Sequence, residues 1–492
     1  RIRESIRGRP DWCLSRQRSW GVGIPALYCE SCQDAFLDRR VMERAASVTR
    51  ERGSDAWFEE PVENFAPAGL TCPRCGGAGP FRKETDILDV WFDSGATHHA
   101  VRAHHAELDQ AWTRAEREAG RVIYFEGPDQ HRGWFNSSLM VSVGMRDRPP
   151  YTDVLTHGWV LDAEGKAMHK SLGNVVSPLD LVKRYGADIV RWWALATDWR
   201  SDVRVGDEIL TRVSEAYRKV RNTFRFLLGN LGDFDAPVDA VPPEHWTRVD
   251  LAFAEHLEAR FRRIRSDWEQ NLFHRALDQI LDLCTVDLSS VYLDVTKDRL
   301  YTLAPADRAR RSAQTVLWKA LHDLAVAASP ALPFTTEEVW QSHPGLRAEC
   351  ESVHRVRWAP GKGNGGDQEW EMLLAVRAAV NAALEPLRAA KQLATPAEAQ
   401  VVLAARPDVA AHLEPYEEEL PGFLMVAEVE LRTGDTGAAD REWVASATRS
   451  QHRRCERCWR HVADVGSSAT NPELCSRCAE VLSRMEPRPR LG

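Results

Sequence analysis

The chain has 492 residues, 43% of them hydrophobic and 28% charged, and a formal net charge of −8. This is a globular composition with room for roughly three or four domains. No stretch approaches the ~18 to 20 apolar residues of a membrane span and no signal peptide is visible, so the expectation is a cytosolic (cytoplasmic) protein without membrane contact. The acidic excess does not decide for or against nucleic acid, because local basic clusters set that affinity. One such cluster runs from Arg212 to Arg225. Position 1 is Arg, not Met, which reads as an internal or C-terminal piece of something longer.

The first 205 residues carry α/β punctuation. "RVIYF" (121 to 125) and "VLTHGWVL" (154 to 161) read as strands, Phe135 to Val143 reads as helix, and "DILDVWFDSG" (86 to 95) opens as a β-like apolar run ending in Trp91. Between about 26 and 120 lies an apparent insertion with two cysteine pairs and a polar helical stretch, Asp38 to Glu51. From about 206 to 360 the texture is helical. Val220, Phe224, Leu227 and Leu231 recur at helical spacing with Gly232 as C-cap. Phe273, Leu277, Ile280, Cys284, Leu288 and Val291 repeat the pattern over Phe273 to Val295. Val316 to Ala328 follows, and Thr335-Thr-Glu-Glu338 supplies a capping box for the next helix. Pro360 to Gly366 is the clearest linker. Beyond it, 361 to 450 reads as a small α/β module with a helix from Trp370 to Gln392, a strand "AQVVLAA", another helix and a strand "FLMVAEVEL". The last stretch, 451 to 492, is cysteine-bearing.

Eight of the eleven cysteines form four Cys-x-x-Cys pairs, which in a large chain without a secretory signal favours metal over disulfides. Cys455-x2-Cys458-x16-Cys475-x2-Cys478 has the spacing of a closed four-thiolate zinc module. Arg453, Arg454, Arg457, Trp459, Arg460 and His461 crowd its first knuckle and suit phosphates and a stacked base. Cys29, Cys32, Cys72 and Cys75 form a looser quartet, with 39 residues between its halves. Neither quartet leaves an open coordination position, so both read as structural zinc sites. Cys13, Cys284 and Cys350 are left over and read as inert thiols.

"GKAMHKSLGNVVSP" (165 to 178) sets lysines and small residues on a glycine-bounded loop, suited to meeting phosphate with Lys170 as a point charge. "SRQRSWGVGIP" (15 to 25), "DILDVWFDSG" and "YFEGPDQHRGWFNSSL" (124 to 139) each join aromatics to glycine and charge. Four such segments in 180 residues are more than ordinary packing requires.

Together these segments resemble the C-terminal part of a class I aminoacyl-tRNA synthetase of the bacterial isoleucyl type, over essentially the whole chain. "AMHKS" looks like the family's K-M-S-K-S loop, and "TKDRLY" (296 to 301) and the four-cysteine tail have counterparts there too. Valyl, leucyl and methionyl relatives share the architecture but not Asp-Gln-His-Arg-Gly-Trp-Phe at 129 to 135. The resemblance implies a fold of α/β plus all-α type: the second half of a Rossmann-type catalytic domain to 205, with the K-M-S-K-S-like loop at 165 to 175, then a helical anticodon-binding domain, the α/β module and the zinc module. It implies ATP-dependent activation of isoleucine and transfer to the 3′ end of tRNA(Ile), with Mg²⁺ accompanying ATP and Zn²⁺ in the quartets, by a monomer. Lys170 would be the catalytic lysine, with Lys166, Met168 and Ser171 on ATP. Glu126, Gly127, Asp129, Gln130, His131, Trp134 and Trp91 would hold the isoleucyl-adenylate. Arg212, Arg218, Arg221 and Arg225 would meet tRNA phosphates.

Two features depart from the family. Ala167 and His169 replace the motif's first lysine and central serine, which leaves Lys166 as the substitute cation. The family's His-Ile-Gly-His signature and its editing domain are absent from these 492 residues, so the expectation is half an active site that is inactive alone. The competing reading is a non-catalytic, zinc-containing nucleic-acid-binding protein derived from a synthetase.

Overall fold

The computed structural model describes residues 7–8, 11–117, 120–359, 367–434 and 442–484. The linker expected at 360 to 366 lies outside the described residues. The chain divides into two compact units, 1–159 and 160–492. That division falls inside the segment the sequence assigns to the catalytic domain.

In the first unit, β1 (Ser15–Arg16) pairs antiparallel with β5 (Ile87–Leu88), and everything between them is the insertion. The insertion has its own sheet, in which β2 (Leu27–Cys29) lies between β3 (Ala35–Phe36) and β4 (Phe81–Lys83). Helix α1 (Arg39–Arg52) begins where the Asp38 side chain accepts from the Arg40 amide, satisfying one of the orphan donors of a helix start. Leu27, Phe36, Val41, Trp57, Phe65 and Leu70 make a separate small core there. The β-like run expected to end at Trp91 stops after Leu88. Asp89 accepts from the Trp91 amide and starts a helix, α2 (Val90–Gly95), so the aromatic stands on a helix rather than a strand.

β6 (Ile123–Glu126), α3 (Trp134–Arg146) and β7 (Asp153–Thr156) form a βαβ unit, with Ile123 opposite Asp153 and Glu126 opposite Thr156 in parallel register. The strand expected over 154 to 161 is two strands. β7 ends at Thr156, and β8 (Val160–Leu161) pairs with β9 (Val203–Arg204) in the second unit.

After α4 (Pro178–Tyr185) and α5 (Ala187–Leu195), the second unit is built on α6 (Asp207–Asn230), α7 (Arg248–Glu269), α8 (Phe273–Asp282), α9 (Leu293–Thr302), α10 (Arg308–Ala328) and α11 (Pro333–Ser342). Helix α6 is closed by Leu231, not by Gly232. The helix expected over 273 to 295 continues to Thr302 and is wound as a π-helix from Leu283 to Tyr292. There the Ser289 and Ser290 hydroxyls donate to the carbonyls of Cys284 and Thr285, five residues back, which matches the wider turn. The capping box expected at Thr335 does not form. The helix already begins at Pro333, and the buried Asp188 of α5 accepts from the Thr335 amide (2.7 Å) and hydroxyl (2.6 Å) instead.

The strongest polar feature of the bundle sits in its core. The fully buried Asp250 carboxylate accepts from both terminal guanidinium nitrogens of Arg299 (2.6 and 2.7 Å), the Tyr292 hydroxyl (2.7 Å) and the Ser312 hydroxyl (2.6 Å). Arg299 belongs to the "TKDRLY" stretch, and its neighbour Asp298 is bidentate to Arg477 of the cysteine-bearing tail (2.7 and 2.8 Å). Arg457 of that tail donates to the Thr302 carbonyl. The motif is therefore the joint between bundle and tail.

The α/β module has β10 (Ala399–Ala405) central, parallel to β11 (Glu428–Thr433) and antiparallel to β12 (Trp443–Arg449). Alternate residues Ala399, Val401, Leu403 and Ala405 of β10 are buried, the period of a strand. The expected strand "FLMVAEVEL" begins only at Glu428, because Phe423 and Leu424 end a short helix and Met425 turns left-handed (φ 58°). Trp370 of α12 (Gln368–Ala389) inserts against Phe253 and Phe423 with ring centroids 4.7 and 5.7 Å away, so module and bundle share one core.

Candidate functional site

The segment from Tyr124 to Leu139 folds around a stacked aromatic pair. The buried Tyr124 of β6 lies flat on Trp134 of α3, with centroids 4.0 Å apart and planes 6° apart. Between them the chain makes one 3₁₀ turn, Pro128–His131. Gln130 Oε1 accepts from the Trp134 amide (2.9 Å), so this side chain caps α3, while Gln130 Nε2 donates to Asp129 (3.0 Å). His131 Nε2 stands 3.0 Å from Thr156 Oγ1 of β7, and Trp134 Nε1 donates to the Ser94 carbonyl (3.1 Å). Scaffold partners thus hold Gln130, His131 and Trp134. Glu126 is exposed at the end of β6, and its carboxylate has no hydrogen bond or ion pair among the described residues. The glycines have packing reasons. A Cβ on Gly127 would stand 2.9 Å from Asp129 Oδ1, and one on Gly133 would stand 2.6 Å from Gln130 Oε1 and 2.8 Å from the Trp91 ring.

Beside this segment is a cavity of about 590 Å³ whose walls include Trp12, Arg16, Asp89, Trp91, Gly133 and Met140. Of the residues expected from sequence to hold adenylate, only Trp91 lines it. Glu126, Gly127, Asp129, Gln130, His131 and Trp134 lie outside its walls. The cavity is organised by Asp89, a buried carboxylate not singled out from the sequence. Asp89 accepts from Arg16 Nη2 (2.6 Å), Trp12 Nε1 (3.0 Å) and the Trp91 amide (3.1 Å). Burial, and then the nearby Asp89 charge, raise the carboxyl of Asp93 above the usual carboxylate range. An Asp directly before an apolar helical turn is an N-cap signal, and that signal could have located Asp89. The chamber is chemically amphiphilic. Trp91 and Met140 offer apolar surface, while Arg16 and Asn136 offer donors.

The lysine loop belongs to the second unit. Rather than a loose turn it is a closed hairpin, with Ala167 bridging back to Leu161 and Gly165 at φ 83°. Met168 turns inward to pack with Trp193, Val205 and Leu210, and its sulfur accepts from the Val176 amide (3.4 Å). Lys166, Lys170 and Ser171 are exposed. Lys170 starts a 3₁₀ turn closed by Gly173 at φ 64°. Among the described residues neither lysine ammonium has a hydrogen bond or ion pair, although the Lys166 charge is felt by the nearby Asp162 carboxylate.

Both cysteine quartets are assembled. Within each, all four sulfurs lie within 4.8 Å of one another. Cys29 and Cys75 are 3.7 Å apart, Cys32 and Cys72 3.6 Å, and Cys458 and Cys475 3.9 Å. Four thiolates at ~2.3 Å from a tetrahedral zinc lie about 3.8 Å from each other, so both sets fit that ion. The Cys32 amide leads the groups that bring the Cys29 thiol down to about 7. Burial raises Cys455, but the amides of Cys458, Cys475 and Arg457 outweigh it and bring that thiol to about 6. Several of the basic residues around the last quartet are occupied. Arg457 serves the Thr302 carbonyl and the Cys478 sulfur, Arg454 pairs with Glu456, and His461 Nδ1 meets the His452 carbonyl. Trp459 is exposed at φ 63°.

On α6, Arg218, Arg221 and Arg225 are exposed along one face with no ion pair among the described residues, whereas Arg212 pairs with Glu208 (3.3 Å).

Residues 1–206 match the family model for class I tRNA synthetases (I, L, M and V). Residues 250–403 match the anticodon-binding domain of tRNA ligases, and residues 454–481 match a zinc finger found in FPG and IleRS. The chain belongs to the class I tRNA synthetases. The curated relatives it matches within that class are isoleucine–tRNA ligases. It is 43% identical to that of Syntrophotalea carbinolica over 98% of this chain and 52% of the relative, and 42% identical to that of Geobacter sulfurreducens over 97% and 52%. The Moorella thermoacetica ligase is 41% identical over 99% and 52%. The chain therefore spans about half the length of the relatives it matches. The fold alone is shared with the Agrobacterium radiobacter LeuRS in a LeuRS–tRNA–LeuAMS complex, at TM-score 0.50 and 18% identity, covering 80% of this chain and 44% of that one.

Proposed function

We propose that this chain is the C-terminal half of an isoleucine–tRNA ligase. It contributes part of the site that converts isoleucine and ATP to isoleucyl-adenylate, and the surface that takes tRNA(Ile). The observation that carries this reading is the amphiphilic chamber walled by Trp91 and Gly133, next to the Glu126–Trp134 segment, in a chain whose relatives are isoleucine–tRNA ligases. The proposed domain limits are 1–205, 206–360, 361–450 and 451–492.

Neither half-reaction requires an enzyme nucleophile, so this chain's residues act by positioning and charge. Glu126, a free carboxylate, receives the substrate ammonium or a ribose hydroxyl, and Asp129, Gln130 and His131 continue that polar wall. The Trp134–Tyr124 stack fixes the segment's shape, and Trp91 presents apolar surface. Lys170 meets the triphosphate together with Lys166, and Ser171 completes that contact, whereas Met168, expected from sequence on ATP, is turned into the core and anchors the loop instead. Mg²⁺ bound to ATP supplies charge neutralisation. The protein works in the cytoplasm as a monomer.

The tRNA part is tested on the chain as it stands. It is expected to bind tRNA(Ile) in a filter assay. Arg218→Ala/Arg221→Ala/Arg225→Ala should weaken binding and reduce the steepness of its salt dependence by roughly 2 to 3 in log–log slope, about one per lost phosphate contact. Equal affinity and slope in the triple variant would remove α6 from the tRNA surface.

A further inference from the structure

The lysine loop is a closed hairpin although two positions of its motif are replaced, and what ties it lies outside the motif. Asn174 Nδ2 donates to Asp162 Oδ2 (2.7 Å) and to the Ala167 carbonyl (3.1 Å), and its Oδ1 accepts from the His169 amide (2.9 Å). Asp162 is buried, and its other oxygen accepts from the Lys166 amide (2.7 Å). The Asn174 amide leads the groups that hold this carboxyl below the usual range. The loop is thus tied at 166, 167 and 169, in each case through the backbone. The side chains of Ala167 and His169 are exposed and play no part in the tie.

We propose that Asn174, acting with Asp162, is the positioning residue for Lys170. This rests on the phosphate role given to Lys170 above and adds the means by which that ammonium is aimed. Lys170 follows the tied His169 directly, and the one turn that carries it ends at Gly173, next to Asn174. Both ends of the turn are therefore fixed by one carboxamide. Because the tie grips backbone, the residues at 167 and 169 are free to vary, which accounts for Ala and His where the family motif has Lys and Ser. The second lysine cannot vary in this way.

The test uses this chain, hydrogen exchange at the Lys166 and His169 amides, and inorganic tripolyphosphate as probe. Asn174→Ala should raise both exchange rates about tenfold and weaken tripolyphosphate binding by a similar factor. Lys170→Ala should abolish binding and leave exchange unchanged. Asn174→Asp sets two carboxylates against each other and should be at least as damaging as alanine. The exchanged pair Asp162→Asn/Asn174→Asp restores the bond between 162 and 174 and keeps the acceptor for His169 but leaves the Ala167 carbonyl without its donor, so it should recover part of both. Binding lost in Lys170→Ala but intact in Asn174→Ala would overturn the role of Asn174 alone. A wild-type chain that takes no tripolyphosphate, or takes it equally after Lys170→Ala, would overturn the phosphate role of Lys170 and this proposal with it.

Discussion

Asp250→Ala is expected to lower the stability of the helical bundle by about 3 to 5 kcal/mol, the usual cost of removing one partner from a buried ion pair. The carboxylate is fully enclosed, and its four donors use both oxygens. Its loss leaves Arg299 charged in the core, with Tyr292 and Ser312 unpaired. Asp250 also links stability to pH. Burial alone would raise its carboxyl, but Arg299 and the hydroxyls outweigh burial and hold it below the ordinary carboxylate value. The stabilisation it confers is therefore fully present above about pH 4 and is lost as pH falls through the lower value of the folded state. Urea unfolding of wild type and Asp250→Ala should show a large gap in midpoint at pH 7 that narrows below pH 4. A midpoint unchanged by the substitution at pH 7 would contradict the account of the core.

Cys475→Ser is expected to unfold the tail rather than loosen it. That tail has a core of little more than Cys455, Val465, Cys475 and Cys478. A structural zinc supplies on the order of 10 to 16 kcal/mol to modules of this size. The consequence should spread to the bundle, because Arg457 donates to both the Cys478 sulfur and the Thr302 carbonyl, and Arg477 clamps Asp298. Elemental analysis should give two zinc ions per wild-type chain, one per quartet, and one in Cys475→Ser. Hydrogen exchange should rise over residues 293 to 302. Cys72→Ser should also remove one zinc and leave 293 to 302 protected. An unchanged metal content in either variant would refute four-thiolate binding at that quartet.

These two features were unequally legible in the sequence. Cys-x2-Cys pairs announce themselves because a tetrahedral ion imposes tight knuckles on the local chain, and both quartets close in the structure. The Asp250 network could not be read, since it joins residues up to 62 positions apart by contacts that leave no periodicity. Helix positions in the bundle and the strand at 399 to 405 followed from apolar spacing. The π-wound stretch at 283 to 292 did not, because its apolar residues also satisfy an α-helical period. Misreadings came from distant partners or from caps. Asp188, 147 residues away, displaced the expected capping box at Thr335, and Asp89 turned a β-like run into helix α2. Asp89 shows the same limit at the candidate site. The glycines and aromatics of 124 to 139 stood out, but the carboxylate that orders the adjoining chamber looked like one acid among many. In the lysine loop the eye goes to Lys166 and Lys170, whereas the residue that shapes the loop, Asn174, lies beyond the motif.

The central claim is that this chain holds half of an isoleucine-activating site. Its most direct test is isoleucine-dependent exchange of pyrophosphate into ATP. It would be measured on the chain alone and on the chain joined at its N-terminus to the first half of the Syntrophotalea carbinolica relative. The account predicts no exchange by the chain alone, exchange by the joined polypeptide that depends on isoleucine, and a loss of roughly 100-fold or more on Lys170→Ala, as expected for one group that stabilises transition-state charge. Exchange undiminished in Lys170→Ala, or a well-folded joined polypeptide that shows none, would contradict it.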